Sequence, residues 1–295
     1  MTALASKERL AFDIHKLREL PPLPAEEQLL FRLLQDDDVE IADVVAAIEC
    51  CPAIAARILG LARSAYFAQR NPCNTIFEAI VRVLGLKMVR NLVIGVITSQ
   101  RFSPERCLGF DAQQYWASAL LTATCARMTA PLLGVKSRPS PDDAYLCGLL
   151  HNIGVLVLAH VEPREMSRVF NMLFANREYT LTELEAQVFG ITHGQAGAWL
   201  VKRWGLPSHV CMVLEHLGNP GYEGAFWAYH SLVTMSKQIS DTYLQYRDSE
   251  VIDAESLDVL KIPQQKFDNV MESFGAQVEQ VVDLSDTFRC CAAAQ

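Results

Sequence analysis

Apolar residues recur at intervals of three to four positions through almost every segment of the chain. This spacing places them on one face of a helix, whereas the alternation of apolar and polar residues that is typical of strands is absent. The pattern therefore predicts an all-α protein built as a multi-helix bundle. The longest predicted helices cover residues 86–101, 111–130, 141–159, 224–242 and 263–282.

Polar residues mark the expected starts of several helices. Thr75 with Glu78, and Thr180 with Glu183, have the spacing of a capping box, in which each side chain binds a backbone N–H group near the other residue. Ser140 is followed by Pro141, which is favoured at the first position of a helix because that position has no helical N–H group to lose. These signals support the helical prediction.

A polar break divides the predicted helices. Residues 101–111 have the composition of a loop and separate two helical sets, and the chain becomes more polar again after about residue 243. We therefore expect an N-terminal helical subdomain over 10–101, a second helical subdomain over 111–242, and a C-terminal helical extension and tail over 243–295. The first two subdomains carry broad apolar faces and are expected to pack together as one unit.

Composition and charge narrow the class of protein. With 51% apolar and 20% charged residues, the chain can bury a large core. Its net charge of −8 opposes binding to a phosphate backbone, so a nucleic-acid partner is not expected.

The N-terminus lacks the apolar segment of a secretory signal, and apolar runs such as 92–97 are too short to span a membrane. The nine cysteines form no C-x-x-C pair. We expect a cytoplasmic protein with reduced thiols and no membrane contact.

The segment 144–160 carries the most informative polar residues. Here an apolar helix presents His151 beside Asn152, and Gly154 follows. An adjacent His and Asp on a buried helix can bind metal ions together with residues from neighbouring helices. Because the second residue is an asparagine, whose amide is uncharged, we favour a hydrogen-bonded pair in the core over a metal-binding pair.

The sequence around this pair resembles a known family. It contains, in order, LPPLP (20–24), CPAIAARILGLARSAYF (51–67), IFEAIVRVLGLKMVRNL (76–92), YWASALLTATCARMTA (115–130), HNIG (151–154) and EAQVFGITHGQAGAWLVKRWGLP (185–207). Together these blocks resemble the HDOD family, which is similar in fold to the HD phosphohydrolases and is found in bacterial signal transduction and gene regulation. The resemblance implies an all-α, HD-like bundle with an N-terminal helical subdomain packed on it.

The resemblance also implies that the metal site of the HD enzymes is degenerate here. It places their ligand positions at Ala117 or Ser118, His151, Asn152, His193, the pair Leu217 and Gly218, and Ser236 or Lys237. Only His151 and His193 keep a ligand residue. His216 lies one residue before the expected pair, which corresponds to about 100° of rotation on a helix. His151, Asn152, His193 and His216 are therefore interpreted as vestigial positions, and neither catalytic residues nor a bound metal are expected.

Three functions follow as hypotheses. The first is a non-catalytic regulatory module that binds another signalling protein, a second copy of itself or a small ligand. An alternative is a metal-dependent phosphohydrolase acting on nucleotides or cyclic dinucleotides, which would need substitute carboxylates such as Asp142, Asp143 or Glu215. A second alternative is a DNA-binding regulator that uses the short predicted helices at 40–50 and 52–63 as a helix-turn-helix. No cofactor is expected, although an adventitious divalent metal ion could bind at His151.

Overall fold

The computed structural model of the chain describes residues 24–36, 38–67, 73–176, 178–219, 221–245 and 254–289. These residues form helices and connecting loops without a strand, which confirms the prediction of an all-α protein. The predicted helix at about 7–19 and most of the LPPLP block lie outside the described residues.

The N-terminal part contains α1 (Ala25–Leu33), α2 (Ile41–Glu49), α3 (Pro52–Ala62), α4 (Ile76–Glu78), which continues as a π-helical turn over Ala79–Leu84, and α5 (Leu86–Arg101). The second part contains α6 (Ala112–Thr129), α7 (Pro141–Leu150), α8 (Ile153–Val161), α9 (Pro163–Ala175), α10 (Leu181–Phe189), α11 (His193–Arg203), α12 (Ser208–His216) and α13 (Trp227–Gln245). The C-terminal segment contains α14 (Ala254–Leu260), α15 (Gln264–Gly275) and α16 (Val278–Arg289).

Helix α6 is the central element of the bundle. Small and apolar residues occur around its whole circumference, and nearly all of them are buried. A helix with this distribution can be surrounded by other helices on every side, and α7, α13 and α16 all pack against it. Because α16 also contacts α3 and α5, the C-terminal segment is a part of the same core.

The predicted helix starts are found with one difference. The side chain of Ser140 accepts a hydrogen bond from the backbone of Asp143, and Thr180 and Glu183 form the reciprocal capping box. Thr75 accepts from the backbone of Glu78, but the Glu78 carboxylate binds the N–H group of Asn74. The Glu78 carboxylate thus binds the backbone one residue before the predicted position.

The predicted helix over 141–159 is interrupted. Helix α7 ends at Leu150 and α8 begins at Ile153, because Asn152 leaves the helical conformation with φ of −107° and ψ of 14°. Taken together, Pro141–Val161 reaches the length and apolarity of a membrane span, which the short apolar runs of the sequence did not suggest. However, 83% of its most apolar window is buried inside the protein, as is normal for a core helix.

Of the two short helices that suggested a helix-turn-helix, α3 packs against the core of the protein. Ile54 and Ile58 on α3 are buried. Arg57 donates a hydrogen bond to the Ser99 hydroxyl on α5 at 2.7 Å, and Arg63 donates to the backbone carbonyl of Cys73 at 2.7 Å. Both arginines of this segment therefore make contacts within the protein.

Candidate functional site

His151 lies at the break between α7 and α8 and is completely buried. Its Nδ1 atom is 2.6 Å from the carbonyl oxygen of Gly148. Since a carbonyl oxygen only accepts, Nδ1 carries the hydrogen, and Nε2 has a lone pair. Nε2 is buried and has no hydrogen-bond partner among the described residues. Burial lowers the pKa of His151 to about 3, so the imidazole is neutral at physiological pH.

His193 is held by a buried glutamate that the sequence analysis did not single out. One carboxylate oxygen of Glu185 on α10 accepts both the backbone N–H of His193, at 2.8 Å, and its Nδ1–H, at 2.6 Å. Glu185 is completely buried, and its other oxygen has no hydrogen-bond partner in the described part of the chain. This double contact fixes both the start of α11 and the orientation of the imidazole. The Nε2 atom of His193 has no hydrogen-bond partner among the described residues, so it is the ring atom that can bind something else.

A close helix contact brings the two histidines together. Gly154, on the first turn of α8, lies against the backbone of His193 on α11, where a side chain would not fit. Because α8 and α11 approach so closely, the His193 imidazole acts electrostatically on His151 and contributes to lowering its pKa. The start of α11, which carries His193, thus packs against the turn of α8 that follows His151.

The other predicted positions supply few ligand groups to this site. Asn152 is half-buried, and its side chain does not cap the helix that follows it. Ser118 and Ser236 are buried, and a serine hydroxyl is uncharged. Lys237 forms an ion pair with Asp241 one turn later, and its positive charge lowers the pKa of His151 further. A cationic group therefore lies near the histidine where the pattern would have an aspartate.

His216 takes part in a different arrangement. Its ring stacks on Tyr222, with the ring centroids 4.1 Å apart. Its backbone carbonyl accepts a hydrogen bond from Nε2 of His230 at 2.8 Å. His230 lies on α13 and is buried, with its Nδ1 unpartnered among the described residues. Sequence reasoning missed His230, although its place in an apolar helical stretch is a signal that it is buried.

Of the three candidate substitute carboxylates, Asp142 and Asp143 lie at the other end of α7 from His151, and Glu215 is exposed on α12. Asp142 is 3.9 Å from a guanidinium nitrogen of Arg127, and Asp143 accepts a hydrogen bond from the Ser140 hydroxyl at 2.7 Å. Both are on the first turn of α7, whereas His151 follows its last turn. Within the described residues, no three His, Cys, Asp or Glu side chains are grouped so that they could hold a metal ion.

Comparison with known proteins relates the chain to one family. The sequence model of the HDOD domain family matches residues 20–220. An uncharacterized protein of Treponema pallidum (strain Nichols) is 31% identical over 204 residues, which are 69% of this chain and 38% of that protein. The chain thus spans well under half the length of this relative.

Solved structures share the fold. A protein of Marinobacter aquaeolei VT8 that is named as a signal transduction protein has a TM-score of 0.79 at 24% identity, over 97% of this chain and 66% of that chain. A protein of Shewanella amazonensis SB2B that is named as a phosphohydrolase has a TM-score of 0.78 at 23% identity, over 94% of this chain and 98% of that one. An HDOD domain protein of Geobacter sulfurreducens, of unknown function, has a TM-score of 0.73 at 20% identity, over 96% and 98%.

Proposed function

The chain belongs to the HDOD domain family, and we propose that it is a regulatory signal-transduction module that acts by binding and does not catalyse hydrolysis. The charge of Lys237 beside His151 is the observation that carries this proposal. The ammonium group is close enough to lower the pKa of His151. It would therefore also disfavour a divalent cation at the same imidazole, because like charges repel, and its partial exposure and its ion pair with Asp241 reduce this effect without removing it.

The residues around the two histidines support the same conclusion. A metal ion that activates water needs ligands that hold it firmly, and carboxylates supply much of that affinity for hard cations. The carboxylate that contacts His193 is that of Glu185, and one of its two oxygens is already engaged with the His193 backbone and imidazole. The imidazoles of His151 and His193 and the amide of Asn152 carry no negative charge, so they would leave a metal ion with weak ligands.

A binding function also fits the surface of the N-terminal part. Phe77 and Val81 lie four residues apart, on α4 and its π-helical turn, and each exposes about half of its side chain, 52% and 53%. Exposed apolar groups on one face are typical of a protein contact, and π-helical turns often occur at functional sites. We propose that the partner is a signalling protein or a second copy of this chain, with the Marinobacter relative as the precedent for signal transduction.

One observation favours the phosphohydrolase alternative. Histidines that bind metals usually donate their second ring N–H to a carboxylate, as His193 does to Glu185. The unpartnered Nε2 of buried His151 has the chemistry of a ligand as well. A metal-dependent enzyme acting on nucleotides or cyclic dinucleotides would bind its metal ion through the Nε2 atoms of His151 and His193.

A hydrolysis assay separates the two proposals. The full chain is incubated with Mn²⁺, Fe²⁺ or Mg²⁺ and with cyclic dinucleotides, nucleoside phosphates and a generic phosphoester. We expect the turnover to equal that of the His193→Ala variant, which measures any contaminating activity. Metal-dependent turnover that disappears in both His151→Ala and His193→Ala would establish the enzyme and overturn our proposal.

A further inference from the structure

A groove runs between the N-terminal part and the second part of the protein. It consists of two adjoining cavities of about 440 and 390 Å³ that share Gln35 and Gly205 in their walls. Cavities of this size accept small-molecule ligands. Since one wall is formed by α1 and α5 and the other by α7 and the junction of α11 and α12, a ligand here would contact both parts at once.

The groove is basic although the protein is acidic. Four basic residues line it, Arg32, Lys87, Arg90 and Arg203, against the two acidic residues Asp142 and Asp143. The whole chain has a net charge of −8. A local excess of positive charge on such a protein indicates attraction of an anionic ligand.

Two of these basic groups are available to a ligand. Arg32 and Lys87 are exposed and have no side-chain partner among the described residues. Both acidic groups lie on the α7 wall, where Asp142 is 3.9 Å from Arg127 and Asp143 accepts from the uncharged Ser140 hydroxyl. An anion on the opposite wall, formed by α1 and α5, would therefore meet the positive charges of Arg32 and Lys87.

The floor of the first cavity is aromatic. Trp204 stacks on Phe102 with ring centroids 6.2 Å apart, and the edge of Phe31 contacts it at 6.3 Å. These contacts fix the indole in place while it remains half-buried. A prepositioned indole can pack against a planar ring with little loss of side-chain freedom. The arginines Arg32 and Arg203 flank it in the same cavity.

The groove is separate from the two buried histidines. Asp143 lines the groove on the first turn of α7, and His151 lies eight residues further along, which corresponds to about 12 Å on a helix. Occupation of the groove therefore does not require the vestigial metal site.

We propose that this groove binds a nucleotide, with phosphate groups on Arg32 and Lys87 and the base against Trp204. The inference rests on the proposed binding function, for which it names the class of small ligand. By contacting α1 and α5 as well as α7, the nucleotide would stabilise one arrangement of the N-terminal part relative to the second part. It would thus be the signal to which the module responds.

Isothermal titration calorimetry of the full chain tests this inference. The probes are ATP, GTP, pyrophosphate, adenosine and guanosine, in buffer without divalent cations. We expect a nucleoside triphosphate to bind more tightly than pyrophosphate, and the nucleosides to give no measurable binding. Arg32→Ala and Lys87→Ala should each weaken the binding about tenfold, as expected for the loss of one charge-assisted hydrogen bond. The control Lys266→Ala removes an exposed charge on α15 and should leave the affinity unchanged.

Three results would overturn the proposal that the groove binds a nucleotide. They are no binding of either triphosphate, equal affinity for pyrophosphate and the triphosphates, and an affinity that neither groove variant changes. Each would contradict a different part of the argument, namely the ligand class, the role of Trp204 and the location. Failure of the proposed non-catalytic function would give a different result. In that case the nucleotide would still bind, but it would be hydrolysed when metal is added.

Discussion

The backbone carbonyl oxygen of His193 lies 1.7 Å from the position that a Cβ atom on Gly154 would occupy. Real Cβ atoms do not come that close to another atom, and the obstacle is backbone that cannot rotate away. The glycine of the HNIG run is thus explained by packing, since it lets α8 lie directly on the start of α11. The same contact brings the start of α11, which carries His193, against the turn that follows His151.

We predict that Gly154→Ala destabilises the protein by roughly 3 kcal/mol or more, because inserting a methyl group into a packed contact forces the helices apart. Urea denaturation of the variant measures the change. The matched control is Gly60→Ala on the exposed side of α3, where nothing lies within 4 Å of the new atom. The free energy of unfolding of this control variant should equal that of the wild type or exceed it by up to about 1 kcal/mol. Equal stability of the two variants would contradict the close helix contact.

Removal of the Glu185 side chain is expected to release His193. Glu185→Ala leaves the backbone N–H and the Nδ1–H of His193 without their shared acceptor. Buried donors without a partner cost about 1–3 kcal/mol each, so the free energy of unfolding should fall by at least that amount. Glu165→Ala, which removes one partner of an exposed ion pair with Arg168, should change it by less than about 1 kcal/mol. Similar values for the two variants would show that Glu185 does not hold His193.

The low pKa of His151 predicts how stability depends on pH. In the unfolded chain this imidazole takes up a proton near pH 6.5, whereas in the folded protein it does so only near pH 3. Between these values only the unfolded state is protonated, so stability falls as the pH is lowered, by about 1.4 kcal/mol for each pH unit from this residue. The difference in unfolding free energy between the wild type and His151→Gln should therefore shrink on acidification from pH 6.5 to 4.5. A constant difference would mean that His151 is not buried as a neutral group.

The C-terminal helix is predicted to be essential for stability although the family match ends at residue 220. Phe288 on α16 is 1% exposed and stacks on Trp116 of the central helix, with ring centroids 4.8 Å apart. Phe288→Ala should cost about 3–5 kcal/mol, as is usual for a buried aromatic residue. Thermal unfolding monitored by circular dichroism measures this loss. A melting temperature within a degree of the wild type would show that α16 is not part of the core.

Much of the fold could be predicted because helices are encoded locally. The three-to-four spacing gave the helical class, and Ser140 and Thr180 marked helix starts where their side chains are now found as caps. The blocks that resemble the HDOD family agree with the match over 20–220. The break at His151 and Asn152 was missed, because the apolar pattern continues through it without a glycine or proline at that point.

The candidate site could be predicted only in part, for a different reason. His151 and His193 stood out because a motif includes them. Glu185 was missed because glutamate on a short amphipathic helix usually faces solvent, and nothing local shows that this one is buried. The groove was missed because Arg32, Lys87 and Trp204 come from three distant segments, and only the packing of the two parts brings them together.

The central claim is that no metal ion is held at His151 and His193, and the metal content of the protein tests it most directly. The full chain is purified without a chelator or an affinity tag and analysed by plasma mass spectrometry. The proposal predicts far less than one Mn, Fe, Ni or Zn ion per chain. One ion per chain in the wild type, lost in both His151→Ala and His193→Ala variants that remain folded, would contradict it.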